Sequence, residues 1–164
     1  MFDTSVPVLI HFLKGLSAML KKAEAHCDAR KIEHDAILRA RLFPDMFHFT
    51  RQVQLASDFA KGMGARLAGV PVPGFPDEET SFADLQARIS KTIDFLSALT
   101  KEQYAAAATR KVTVKIGGQD TDFDGATFAA TYALPNFYFH VATAYDILRH
   151  NGVELGKRDF MGRT

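Results

Sequence analysis

Six histidines and one cysteine are the side chains of this 164-residue chain best suited to holding a metal or relaying a proton, and their spacing limits what they can do. His11, His26, His34, His48, His140 and His150 form no His-Glu-x-x-His pair, and no Glu-x-x-His of the di-iron bundle kind occurs. There is no Gly-x-Ser-x-Gly turn, no Walker loop and no Gly-x-Gly-x-x-Gly after a strand, so the commonest hydrolase and nucleotide signatures are absent. Cys27 stands alone, which excludes an intramolecular disulfide and a Cys-rich zinc site. With no histidine predicted beside it, Cys27 reads as an inert core thiol.

The densest chemistry lies in LPNFYFHVATAYDILRHNG, residues 134–152. With Pro135 opening a helix, Asn136 and His140 stand four apart on one face, and Thr143 and Ile147 continue it. His150 is rotated about 280° from His140 and leaves that face. Two readings of His140 stand: a site residue, or an interior histidine held by hydrogen bonds among Phe137, Tyr138, Phe139 and Tyr145. Arg149 and His150 suit the negative end of the helix dipole.

The elements that must position these groups follow from apolar period. Leu9, Leu13, Leu16, Met19, Leu20 and Ala23 mark helix one, between Ser5 and His26. Residues 28–38 form a charged connector with a short helical turn after His34 or Asp35. Pro44 supplies a first-turn residue for helix two, expected from Asp45 to about Gly69 on Met46, Phe49, Val53, Ala56, Ala60, Met63 and Leu67. Gly15, Gly62 and Gly64 inside these helices read as sites of close packing. Residues 69–80 hold three prolines and two glycines and form a loop long enough to cross the molecule.

Ser81 and Asp84 resemble a capping box opening helix three, which carries Phe82, Leu85, Ile89, Ile93, Leu96 and Leu99. Thr100 and Gln103 start a short helix. The period then changes to two: Val112, Val114 and Ile116 alternate with polar residues, Gly117-Gly118 makes a two-residue turn, and residues 119–123 return, so a β-hairpin lies here, against the helices. Asp124 caps helix four, which runs from Ala126 to His150 with a break at Pro135 and stops at Asn151-Gly152. Four amphipathic helices and one hairpin, without βαβ alternation, make an all-α four-helix bundle in a single domain, residues 1–164.

Composition fits that reading: 47% hydrophobic and 24% charged residues describe a globular domain rather than a disordered chain. Net charge is +1, with acids and bases balanced in both halves, so no half is a nucleic-acid face. Lys14, Lys21 and Lys22 interrupt the best apolar stretch, excluding a membrane span, and the charge order at the N-terminus is the reverse of a signal peptide. A cytoplasmic protein is expected.

PDM at 44–46 and NFYFH followed by AYDILRHNG in helix four resemble the DinB/YfiT-like superfamily of metalloenzymes. Within it the chain is most similar to an uncharacterised bacterial domain-of-unknown-function family, through ARLFPDM at 40–46, QV at 52–53, AKGMGARLAG at 60–69 and ILRHNGVELGK at 147–157. The resemblance implies an up-down-down-up DinB-like bundle that often dimerises. It also implies a divalent metal held by one histidine from helix two and a His-x-x-x-His pair from helix four, used in some members to ionise a thiol cofactor such as mycothiol or bacillithiol.

In this chain the second helix-four ligand falls on His140, the first on Asn136, and the helix-two ligand on Gln52, with His48 one turn earlier as a substitute. Neutral amides are weak ligands for zinc or nickel, so the triad is degraded and such a metal disfavoured. A polar pocket of Gln52, Asn136 and His140 is expected instead, binding a small molecule or supporting weak metal- or thiol-dependent chemistry with His140 as ligand or base. The alternative is a noncatalytic dimerising module that has lost the site.

Overall fold

The computed structural model describes residues 1–163; Thr164, the last residue of the expected domain, lies outside them. The chain is mostly helical, with α1 (Val6–Arg30), α2 (His34–Leu38), α3 (Phe49–Ala68), α4 (Phe82–Ser97), α5 (Gly125–Thr127), α6 (Leu134–His150) and α7 (Lys157–Phe160). Strands β1 (Lys111–Ile116) and β2 (Gln119–Asp124) form a two-stranded antiparallel sheet. The four long helices α1, α3, α4 and α6 share one hydrophobic cluster, with Leu9, Leu16, Phe49, Val53, Leu85 and Phe137 fully buried within it. The main helix–helix contacts are α3 with α6, α1 with α4, and α3 with α4.

Each end of these helices has a chemical cause. Ser81 Oγ accepts from Asp84 N–H at 3.1 Å while Asp84 accepts from Ser81 N–H at 3.0 Å, a full capping box opening α4. At the end of α3, Gly69 takes φ +73°, which suits glycine, and Gly152 does the same after α6 at φ +85°. Gly117 and Gly118 both have positive φ in the hairpin turn. Val112 and Val114 point into the core, and Phe123 packs on Phe128 and Tyr132, so the hairpin is held by helices as its size requires.

Two expectations about helix ends are corrected. Helix two does not begin at Pro44–Asp45: residues 41–48 form turns and extended chain, and α3 begins at Phe49. His48 is the cap, its Nδ1 accepting from Arg51 N–H at 3.3 Å, while Phe49 N–H is taken by Ala40 O at 2.9 Å, which closes the preceding segment into a loop. Pro135 does not break helix four either. The chain passes from α5 through a wide π turn, Phe128–Ala133, into α6, and Leu134 N–H reaches Ala129 O five residues back. Proline cannot supply the next ordinary helical N–H, and the widened turn absorbs that loss.

The proline-rich loop is clamped rather than loose. Arg88, on the inner face of α4 with a side chain 1% exposed, donates to Pro76 O and Glu79 Oε1 at 2.9 Å and to Asp58 Oδ1 at 2.8 Å, and pairs with Asp77 at 3.0 Å. Arg51 also bonds Asp77, and Lys61 pairs with Asp58 at 2.8 Å. Burial works to discharge Arg88, and Glu79 and Asp58 more than offset it, holding its pKa above the usual value. The tail is tied down too: Lys22 pairs with Asp159, His11 bonds Met161 O at 2.8 Å, and Phe160 packs on Phe12 and Tyr145. Among the described residues, no helix is long and apolar enough to cross a membrane.

Candidate functional site

The contact between α3 and α6 brings together two of the expected site residues. Gln52 lies in the first turn of α3, where the His48 cap and the helical register turn it inward, and it is 1% exposed. His140, 7% exposed, faces it from α6, and His140 Nδ1 lies 2.8 Å from Gln52 Oε1. Gln52 Nε2 donates to Phe47 O at 3.0 Å, so its amide group is committed to a carbonyl and its oxygen must face the imidazole. Nδ1 of His140 therefore carries the proton and donates, leaving Nε2 as a lone-pair acceptor, one that is not among the buried unpaired atoms of the described residues.

The surroundings keep that imidazole neutral. Burial, and secondarily the positive charge of Arg51, lower the His140 pKa to about 4. Phe59 stacks on the ring at 5.5 Å and 18°, and Phe139 meets it edge-on at 5.2 Å. A group with so low a pKa is a poor proton acceptor at neutral pH but a good hydrogen-bond acceptor.

Asn136 does not join the pair. Its Nδ2 donates to Tyr132 O one turn back at 2.7 Å, where the wide turn passes into α6. His48 is spent on capping α3, and burial, then Arg41 and Arg39, lower its pKa. Thr143, on the same face as His140, bonds back to Phe139 O at 2.7 Å. Cys27 is buried, and burial, with Asp28 and Glu24 nearby, raises its pKa, so the thiol stays protonated.

The residues present do not fit a divalent metal. Gln52 has both ends of its amide engaged, Asn136 is turned to the backbone, and one imidazole remains. No group of three His, Cys, Asp or Glu side chains that could hold an ion gathers anywhere among the described residues.

Comparison with known proteins places the chain in a family. Residues 1–161 match the family model described as a domain of unknown function, DUF1993. The chain belongs to this DinB-like DUF1993 family. The crystal structure of a DinB family member protein from Shewanella denitrificans is similar to it, with 40% sequence identity and a TM-score of 0.91 over 99% of this chain and 92% of that one. No curated protein matches. The DUF1993 match and the DinB neighbour agree with the family resemblance read from the sequence.

Sequence reasoning missed Arg88, Arg66 and Phe59. Arg88 had a signal: it is a cation inside the apolar stripe of Leu85, Ile89 and Leu96, followed across the chain by the acids of the 77–79 loop segment. Arg66 also had one, lying four residues after Gly62 on the same helical face. Phe59 had none, since one aromatic in an amphipathic helix reads as core.

Proposed function

We propose that this DUF1993 protein is a small-molecule-binding protein of four-helix-bundle form, in up-down-down-up order, in which a neutral imidazole acceptor stands where the superfamily resemblance implies a metal ligand. The observation that carries the reading is the hydrogen bond from His140 to Gln52, with Gln52 itself anchored on Phe47 O. This chain locks the tautomer of His140 and leaves Nε2 to accept an N–H or O–H from a ligand. The low pKa of about 4 keeps it uncharged across the physiological range, which supports recognition rather than general-base catalysis.

Thermal unfolding of the native protein and of His140→Gln, each with a panel of small hydrogen-bond donors, low-molecular-weight thiols and divalent metals, tests the reading. A small-molecule-induced rise in melting temperature that is lost in His140→Gln supports it. Stabilisation by zinc or nickel alone, or no stabilisation by any compound, overturns it.

A second reading, a noncatalytic homodimer, is favoured by one observation. Phe43, Phe47 and Phe139 are 63%, 55% and 54% exposed, and the last two border the Gln52–His140 pair. Sedimentation of the native protein and of Phe139→Asp separates this reading from the first, because only a dimer built on this face dissociates.

A further inference from the structure

A cleft lies between α3, β1 and the π turn, with a volume of about 310 Å³. Its walls are apolar: Phe59, Met63, Val114, Phe128 and Tyr132 all contribute. Into it also come Arg66 and Lys115. Neither has a carboxylate partner among the ion pairs of the described residues, whereas Asp58 at the same cleft is already paired with Lys61 and Arg88, each at 2.8 Å. The cleft therefore has excess positive charge on apolar walls.

Arg66 is positioned for this. Its Nη1 donates to Gly62 O at 3.1 Å, one turn back, and the guanidinium lies where a side chain at residue 62 would stand, since a Cβ there would come within 2.7 Å of Nη1. Glycine at 62 thus makes the space in which the fork rests. Burial lowers the Arg66 pKa from its usual value, yet arginine stays charged at neutral pH, so a partly desolvated cation is left without a counter-ion.

We propose that this cleft binds a small monoanionic carboxylate with an apolar or aromatic body, its carboxylate on the Arg66 fork and its body against Phe59, Phe128 and Tyr132. A carboxylate suits the planar fork, which keeps free N–H groups after bonding Gly62 O. A single negative charge suits one fork beside Asp58, and the volume is at the small end for ligand pockets. The inference goes beyond the His140 reading, because it needs neither Nε2 nor Gln52. Phe59 is common to both, stacking on His140 and lining this cleft.

The test uses the full chain and two probes of equal shape, phenylacetate and the neutral phenylacetamide, followed by amide chemical shifts. The expected result is saturable phenylacetate binding with shifts at Gly62, Arg66, Val114 and Tyr132, with phenylacetamide weaker by about tenfold or more, the loss of one charge-assisted contact. Arg66→Gln then binds both probes equally weakly. Equal affinity of the two probes for the native protein, shifts confined to other residues, or no saturable binding at millimolar concentrations overturns the proposal without recourse to any variant. A carboxylate preference that survives in folded Arg66→Gln also overturns it.

Discussion

His140 of α6 donates its Nδ1 proton to Gln52 Oε1 of α3 across 2.8 Å, joining residues 88 apart in sequence at the main helix–helix contact of the molecule. Because both side chains are buried, the bond has energetic consequences that can be measured. His140→Ala leaves the Gln52 oxygen buried and unpaired and opens a space beside Phe59, so urea unfolding should report a loss of about 1–3 kcal/mol. His140→Gln, which can restore part of the bond, should lose less; an equal loss in both would show that ring packing rather than the hydrogen bond dominates.

The same residue makes stability depend on pH. His140 titrates at about 4 when folded against about 6.5 when unfolded, so between these values the unfolded chain binds the extra proton. Its contribution is complete above about pH 6.5 and is lost as pH falls toward 4, on the order of 3 kcal/mol across that window. Urea unfolding at pH 7 and pH 4.5 in native protein and His140→Gln isolates it, since the carboxylates contribute alike to both. A native protein losing no more than the variant would show that His140 titrates normally.

Zinc or nickel added to protein purified without a histidine tag should not remain after dialysis. One imidazole without an anionic partner gives a divalent ion little charge compensation. Elemental analysis checks this, and one equivalent retained on His140 would contradict the fit argued above.

Arg88→Ala removes the cation that holds Asp58, Asp77 and Glu79 and leaves Pro76 O without its donor. A loss of about 3 kcal/mol is expected, with new proteolytic cleavage confined to residues 70–80. Cleavage elsewhere, or unchanged stability, would show that the loop is held by other contacts.

Alanine should be tolerated at Gly62 and destabilising at Gly64. At Gly62 the obstacle is the flexible end of Arg66, and alanine's better helix propensity should leave stability equal or raised by up to about 1 kcal/mol. At Gly64 a Cβ would sit 2.5 Å from Leu96 Cδ2 and 3.1 Å from Leu99 Cδ1, so overpacking of α3 against α4 should cost about 1–3 kcal/mol. Calorimetry of the two variants decides it.

Local patterns in the chain were enough for the long helices, the hairpin, the clamped loop's position and the Ser81–Asp84 cap, because each depends on residues a few places apart. The shared face of Asn136 and His140 is equally local. What spacing alone could not decide is which neighbours compete for each group. Pro44 looked like a helix start, but Ala40 O captures Phe49 N–H and His48 takes the cap. Pro135 looked like a break, but a wide turn absorbs it. Asn136 shares a helical face with His140 by spacing, yet its amide bonds Tyr132 O, while Gln52 reaches His140 only because α3 docks on α6. Arg88 finds its three acids, and Arg66 its apolar cleft, through the same docking of distant segments. Periodicity sets the face of an element; only the packed structure sets what that face meets, because a buried polar group takes whichever partner tertiary contact brings within hydrogen-bond reach.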